Sequence, residues 1–279
     1  PSVIYDNPFV FDEISGQVAW RIDDENNSLI VNSNVIDGQS AFGEAVGQFL
    51  LAIPLEEGHR KSEFTLHLGL KNSNARYHRD LIPNKVPEDI RTWLASSLRK
   101  GRVEQAGFVY RGGFSGDDNS RSFQVFVNAN ETDLAYSDDW PMLSNIEGQV
   151  VVDNEYMSVA ATQARIFNEP LNALSVVWSG NGNEQLHIQT SARLPAKTGL
   201  RLLTETKLRN GIGKSVSGLS VTGSVDTDIN ILVSPKERNV NDKQLNDWQK
   251  IRIHFLENTI TLPAKSFPSL VASSLQGEI

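Results

Sequence analysis

The 279-residue chain contains no cysteine. Disulfides, thiolate metal sites and cysteine nucleophiles are excluded together. The absence suits an oxidising compartment, where stray thiols are a hazard, without requiring one. There is no run of about 18 or more apolar residues, so nothing in this segment spans a bilayer as a helix. Basic residues are outnumbered, 26 against 34, and the net charge of −8 argues against binding a phosphate backbone. Hydrophobic residues are scarce at 39%, while charged residues are ordinary at 22%. That mix excludes a membrane-spanning bundle and wholesale disorder. No signal peptide is visible, and the chain runs from Pro1 to Ile279 in mid-pattern. It reads as a segment of a longer protein.

What is present is alternation. Gly16, Val18, Trp20 and Ile22 share one face of a strand, with Gln17, Ala19 and Arg21 on the other. Phe64, Leu66, Leu68 and Leu70 do the same over 63–70, and Phe123, Val125, Val127 and Ala129 over 123–129. Further strands are expected at 171–178 (Leu174, Val176, Trp178), 185–192 (Leu186, Ile188, Ala192) and 249–256 (Ile251, Ile253, Phe255). Period two means one dry and one wet face. Parallel α/β sheets show unbroken apolar strands instead, so this is an antiparallel meander of about a dozen strands. Turns are expected at Asp24–Asn27, Asp153-Asn154, Gly180–Asn183 and Glu257-Asn258.

Two helices interrupt. Residues 87–101 have Pro87, Glu88 and Asp89 at the start, Arg99 and Lys100 near the end, and Gly101 as the stop. Ile90, Trp93, Leu94 and Leu98 form its apolar stripe. A weaker helix is expected from Thr198 to about Arg209. A loose repeat also shows: Ile14-x-Gly16-Gln17-Val18 returns as Ile146-x-Gly148-Gln149-Val150, and more poorly near Leu219–Val225. The organisation is then a first strand repeat (1–80), a helical insertion (81–101), a second strand repeat (102–195), a short helix (196–212) and a third strand repeat (213–279).

Reactive constellations are missing. "HRDLIPNK" (78–85) has two residues between Leu81 and Asn84 where a kinase catalytic loop has three. "NGIGKS" (210–215) has Leu208 where a phosphate-cradling loop needs glycine. His59, His67, His78, His187 and His254 do not pair at metal-ligand spacing. The acidic groups Asp23–Glu25, Asp117-Asp118 and Asp138-Asp139 fall in turns, where solvation is their ordinary role. No nucleophile, base and oxyanion set emerges, so the expectation is a non-enzyme without cofactor, metal or nucleotide.

The dry faces need a covering. A β-sandwich or a filled barrel supplies one in the ordinary way. Composition leans elsewhere: Gly148, Ala160, Ala164, Ser175 and Ala192 interrupt the apolar faces, and large core residues are few. An open trough covered by lipid chains is the third destination.

The stretch "LIPNKVPEDIRTWLASSLRKGRVEQAGFVYRGGFSG" (81–116) resembles YhdP-like members of the AsmA-like family. The likeness rests on Trp93-Leu94, Gly101-Arg102-Val103 and Arg111-Gly112, with a looser Leu-Pro-x-Lys approach. Residues 136–167 are similar too, through Asp139-Trp140-Pro141, Gly148, Val150, Asp153 and Ala164-Arg165-Ile166-Phe167. The resemblance implies a mainly β fold: an elongated, curled antiparallel sheet with an open hydrophobic groove and one or two short helices. It implies a bridge-like lipid-transfer protein of Gram-negative bacteria, anchored in the inner membrane, whose body lies in the periplasm. Such a body carries phospholipid toward the outer membrane and supports its permeability barrier. Partners are then phospholipid and, through regions outside this segment, both membranes; no nucleic acid is expected. Groove-lining residues would be Trp20, Phe64, Leu66, Leu68, Val125, Val127, Val150, Val152, Leu174, Val176, Trp178, Leu186, Ile188, Ile251 and Ile253. The 87–101 helix would be a lid or plug. The competing expectations are a sandwich that binds carbohydrate or protein, and a hydrolase built on turn carboxylates.

Overall fold

A computed structural model describes residues 9–56, 61–82, 86, 88–113, 121–180, 185–233, 248–262 and 270–278. Sixteen strands follow in chain order: β1 (Glu13–Ser15), β2 (Val18–Asp23), β3 (Ser28–Ser33), β4 (Ile36–Ser40), β5 (Gly43–Pro54), β6 (Glu63–Asn74), β7 (Leu98–Gly112), β8 (Ser122–Leu134), β9 (Leu143–Asp153), β10 (Tyr156–Ile166), β11 (Glu169–Leu171), β12 (Ala173–Ser179), β13 (Gln185–Pro195), β14 (Ser220–Val233), β15 (Trp248–Leu262) and β16 (Leu270–Glu278). The helices are α1 (His78–Leu81), α2 (Glu88–Ser97), α3 (Ala196–Glu205) and α4 (Ile212–Val216), with 3-10 turns at Ala75–Tyr77 and Lys207–Asn210.

The strands belong to one sheet in the order β1-β4-β5-β6-β7-β8-β9-β10-β12-β13-β14-β15-β16, with β2 and β3 branching from β5 and β11 from β10. The path does not return to β1, so the sheet is open. The expected open antiparallel sheet is what the chain forms; the stacked pair of sheets that defines a sandwich is not. The count exceeds a dozen because β1, β4 and β11 are only 3 to 5 residues long, too short to show alternation.

Turn chemistry sets the hairpins. Asn27 and Asn154 hold positive φ of 45° and 51°, which asparagine tolerates. Asp23 closes the β2–β3 turn by accepting from the Asn26 side-chain amide at 3.1 Å and its backbone N–H at 3.3 Å. These bonds hold its carboxyl below the usual range. The Asp23–Glu25 acids are thus turn residues, as expected. Asp117-Asp118 lies outside the described residues, as do Asn181–Asn183 of the expected 180–183 turn.

Glu257-Asn258 is no turn. It sits inside β15 as a bulge, where the register against β14 and β16 slips. Asn258 is fully buried, accepts from Leu256 N–H at 2.8 Å and donates to the Thr222 carbonyl at 3.0 Å. Gly223 sits opposite at φ 95°, and a Cβ there would lie 2.8 Å from the Asn258 amide nitrogen. The asparagine satisfies the backbone groups that the bulge leaves unpaired.

The first helix also ends earlier than expected. α2 stops at Ser97, and Leu98 to Gly101 open β7. Leu98 therefore lies on a strand, not on the helix with Ile90, Trp93 and Leu94. Leu98 to Gly101 join the ladder that continues to Gly112, and strand pairing overrides a charge pattern worth tenths of a kcal/mol. The second helix is broken into α3, a 3-10 turn and α4.

Contacts divide the chain into two compact units: 1–95 with 101–130 and 149–157, and 96–100 with 131–148 and 158–279. In the first, β3 and β4 share β5: β3 pairs it from Leu50 to Pro54 and β4 from Gly43 to Gly47. β5 then pairs β6, and β6 pairs β7. Among its described residues Ala75 is the one buried hydrophobic side chain. The second unit holds a packed cluster of Ala164, Ile166, Leu171, Ala192, Leu194, Ala196 and Val225.

Candidate functional site: two apolar sheet faces

In antiparallel pairs, residues directly opposite one another share a face, so the register assigns each face. In the first unit, Trp20 pairs Val31 and Ile22 pairs Leu29; Val31 and Leu29 pair Leu51 and Ile53. Leu51, Phe49 and Gly47 pair Phe64, Leu66 and Leu68, and the last two pair Tyr110 and Phe108. One face thus carries an apolar band from β2 to β7. The other face is mixed: it carries Arg21, Asn32, Gln48, His67 and Arg111 together with Ile30, Leu50 and Val109.

The band is unsealed. Trp20 is 72% exposed, Ile22 54% and Leu68 41%, and Phe49, Leu51, Phe64, Leu66 and Phe108 are half-buried. A sealed core of this size would bury several large side chains almost completely. Val125 and Val127 on β8, and Val150 and Val152 on β9, are half-buried as well.

The second unit repeats the pattern. Val176 and Trp178 pair Ile188 and Leu186, and Ile188 pairs Ile231. Leu174 pairs Thr190, which pairs Ile229. Farther along β13, Ala192 pairs Thr227 and Leu194 pairs Val225; Thr227 and Val225 pair Ile253 and Phe255. At the Leu194 end α3 lies across the face, packing Ala196 and Leu202 into the cluster. Leu194 is only 2% exposed there. At the other end Val176, Trp178, Leu186, Ile188 and Ile231 are half-buried. Ile251 pairs Ile229 by backbone register; its side chain is outside the described residues.

α3 covers an apolar face, while the exposed large apolar side chains on α2 are Ile90 and Trp93, at 46% and 43%. Leu94 and Leu98 are half-buried. Alternation missed Leu29, Val31, Phe49, Leu51, Phe108 and Tyr110. In "LIV" (29–31) and "FLLAI" (49–53) both faces are apolar, which erases the period-two signal.

The opposite faces hold the polar chemistry. Arg193 makes two hydrogen bonds to Asp226, at 2.7 and 2.8 Å. Through these bonds Arg193 holds the Asp226 carboxyl below the usual range, and nearby His254 adds to the effect. His187 bonds Asn230 at 2.6 Å. Two open depressions, of about 570 and 430 Å³, lie on these polar faces, around Arg193–Asp226 and around His67–Arg111. His67, His187 and His254 thus stand on wet faces, as expected. His78 sits in α1 beside the Ala75 carbonyl, and His59 lies outside the described residues. Among the described residues no three His, Asp or Glu gather as a metal site. The glycine-rich 210–215 stretch packs α4 on α3: a Cβ at Gly213 would collide with the Leu203 carbonyl.

Among the described residues, no helix is long and apolar enough to cross a membrane, which says nothing of crossing by strands. The intermembrane phospholipid transporter YhdP of Escherichia coli (strain K12) is 22% identical over 151 residues. That match covers 53% of this chain and 12% of the relative, so the chain spans about an eighth of that protein's length. No solved structure matches. The model of the YhdP protein family matches residues 2–248, most of the chain. With that extent of match, and an open antiparallel sheet beneath it, the chain belongs to the YhdP family.

Proposed function

We propose that the chain is a section of an intermembrane phospholipid transporter and that its apolar sheet faces solvate acyl chains. The observation that carries the reading is the β12–β14 face, which α3 covers at the Leu194 end and leaves half-exposed at the Ile188 end. Open apolar area of this kind marks a binding surface rather than a core. The relative's printed function supplies the cargo.

Acyl chains lie against Trp20, Phe64, Leu66 and Leu68 in one unit. In the other they lie against Leu174, Val176, Trp178, Leu186 and Ile188. Val125, Val127, Val150 and Val152 continue the lining. Head groups stay in water at the rim. Each methylene kept from water is worth about 0.8 kcal/mol, so a diacyl lipid with some thirty methylenes faces a barrier of order 25 kcal/mol in crossing a watery gap. A continuous apolar surface lowers that barrier without making or breaking a bond. Ile90 and Trp93 on α2 offer a movable cover, with Leu94 and Leu98 beneath. The setting is the periplasm, with the inner-membrane anchor in another part of the protein.

The test is lipid retained by the purified chain, extracted and quantified by mass spectrometry, for the natural sequence and for Val176→Asp. The natural chain holds phospholipid, and the variant keeps its β circular dichroism but loses the lipid. A natural chain that never holds lipid, or a folded variant with a full load, overturns the reading.

A further inference from the structure

Residues 196–219, which connect β13 to β14, contain five basic side chains and one acidic one. They are Lys197, Arg201, Lys207, Arg209 and Lys214 against Glu205, a net charge of +4 inside a chain of −8. All five basic residues are exposed. Arg201 is occupied: it holds Glu205 at 2.9 and 3.0 Å and lies 4.0 Å over the Phe167 ring. The other four have no ion-pair partner among the described residues. Lys207 is fixed by its backbone, through an N–H bond to the Asp139 carbonyl at 3.1 Å.

Under these cations the segment is apolar. Ala196 and Leu202 pack against the cluster of Leu194 and Val225, and a Cβ at Gly199 would stand 3.7 Å from the Val225 side chain. α3 packs on α4 and on the 3-10 turn, so the segment is one small module. It caps the covered, Leu194 end of the apolar face, and the face opens farther along β13, toward Ile188. From Leu194 to Leu186 the face runs eight residues, about 27 Å at ~3.4 Å per residue. One acyl layer needs about 15 Å, half the ~30 Å hydrocarbon core of a bilayer. A lipid whose chains lie along Ile188 and Ile231 with its headgroup directed to the Leu194 end brings its phosphate toward the module.

We propose that this module is a headgroup site, in which Lys197, Lys207, Arg209 and Lys214 select lipids with a net negative phosphate headgroup over zwitterionic ones. This rests on the lipid-carrying reading and adds the class of lipid. Charge complementarity is the discriminating force, because acyl burial is the same for both classes. The four cations do not touch the acyl surface, so removing them leaves total capacity in place.

The experiment loads the chain from detergent micelles holding equal amounts of phosphatidylglycerol and phosphatidylcholine, then measures both on the re-isolated protein. Lys207→Gln/Arg209→Gln/Lys214→Gln is compared with the natural sequence. At about fivefold per cation near an anionic surface, removing three lowers the preference for phosphatidylglycerol about a hundredfold at most, while total lipid is unchanged. Raising salt narrows the preference of the natural chain in the same direction. Inorganic phosphate at matched ionic strength competes no better than chloride; specific competition assigns the site to free phosphate and overturns the headgroup assignment. A lipid ratio unchanged in the variant overturns the inference alone. No lipid on either protein overturns the lipid-carrying reading beneath it, and the inference with it. A variant that has lost its β circular dichroism is replaced by the three single substitutions, each of which must lower the preference for the inference to stand.

Discussion

Ile188 and Leu194 lie on the same face of one strand, six residues apart, and an aspartate at each separates an open face from a sealed one. Leu194 is 2% exposed beneath α3. An aspartate there buries a charge with no cationic partner in a cluster of aliphatic side chains. The cost is about 3–5 kcal/mol, as for an uncompensated buried charge. Ile188 is half-buried and pairs Val176 and Ile231 across the ladder. Losing half of the ~1.5–3 kcal/mol for a fully buried aliphatic chain costs about 1 kcal/mol. The poor fit of aspartate to a strand adds up to ~1 kcal/mol. The carboxylate at 188 stays hydrated if no layer covers it. Urea unfolding followed by circular dichroism therefore places Leu194→Asp about 2 kcal/mol or more below Ile188→Asp, which itself lies about 1–2 kcal/mol below the natural sequence. Equal losses at the two positions refute the reasoning, because they mean that Ile188 is sealed as tightly as Leu194.

Three further outcomes follow from local geometry. Asn258→Ala removes both partners of a buried bulge and costs about 1–3 kcal/mol for each backbone group left unpaired, read as a urea midpoint; a loss under about 1 kcal/mol contradicts the bulge. Gly148→Ala costs about 1–3 kcal/mol, since its Cβ would stand 2.5 Å from the Ala160 carbonyl and 2.8 Å from the Ala161 Cα. Gly16→Ala costs less because its Cβ would stand 2.7 Å from the Ile36 Cγ1 and 3.0 Å from the Ile36 Cα, a looser fit to the backbone than at Gly148, and equal midpoints for the two variants would refute the difference. Asp226, held below its ordinary value by Arg193, contributes stability above the usual carboxylate pKa of about 4, and loses it as pH falls through the lowered folded value. Asp226→Asn accordingly flattens the stability slope in that acid range, and an unchanged slope rules the linkage out.

The wet and dry faces of β6 and β13 were legible in the sequence because each alternates cleanly over seven or more residues. β3 and β5 were not, since apolar residues fall on both faces there. Gly16, expected on one strand face with Val18, Trp20 and Ile22, falls with Gln17 in the break between β1 and β2, so that strand begins at Val18. Glu257-Asn258 reads as a turn for a sound reason: asparagine supplies its own hydrogen bonds to a kinked backbone, and a bulge needs that as much as a turn does. The covering role of α3 was hidden because helical spacing shows a stripe but not what the stripe meets. The larger inference, that the apolar faces are left open, came from scarcity of bulky core residues and from family likeness. Register and burial supply its physical basis in Trp20, Leu68 and Ile188.

The most direct measurement is site-by-site photocrosslinking from the protein to a labelled phospholipid. A photoreactive amino acid placed singly at adjacent positions on β6 and β13, irradiated in the presence of that lipid, reports which face meets the acyl chain. Crosslinks at Leu66 and Ile188, with none at His67 and His187, are the predicted result. Labelling without that two-residue alternation, or no labelling at either face, contradicts the claim that these sheets hold lipid.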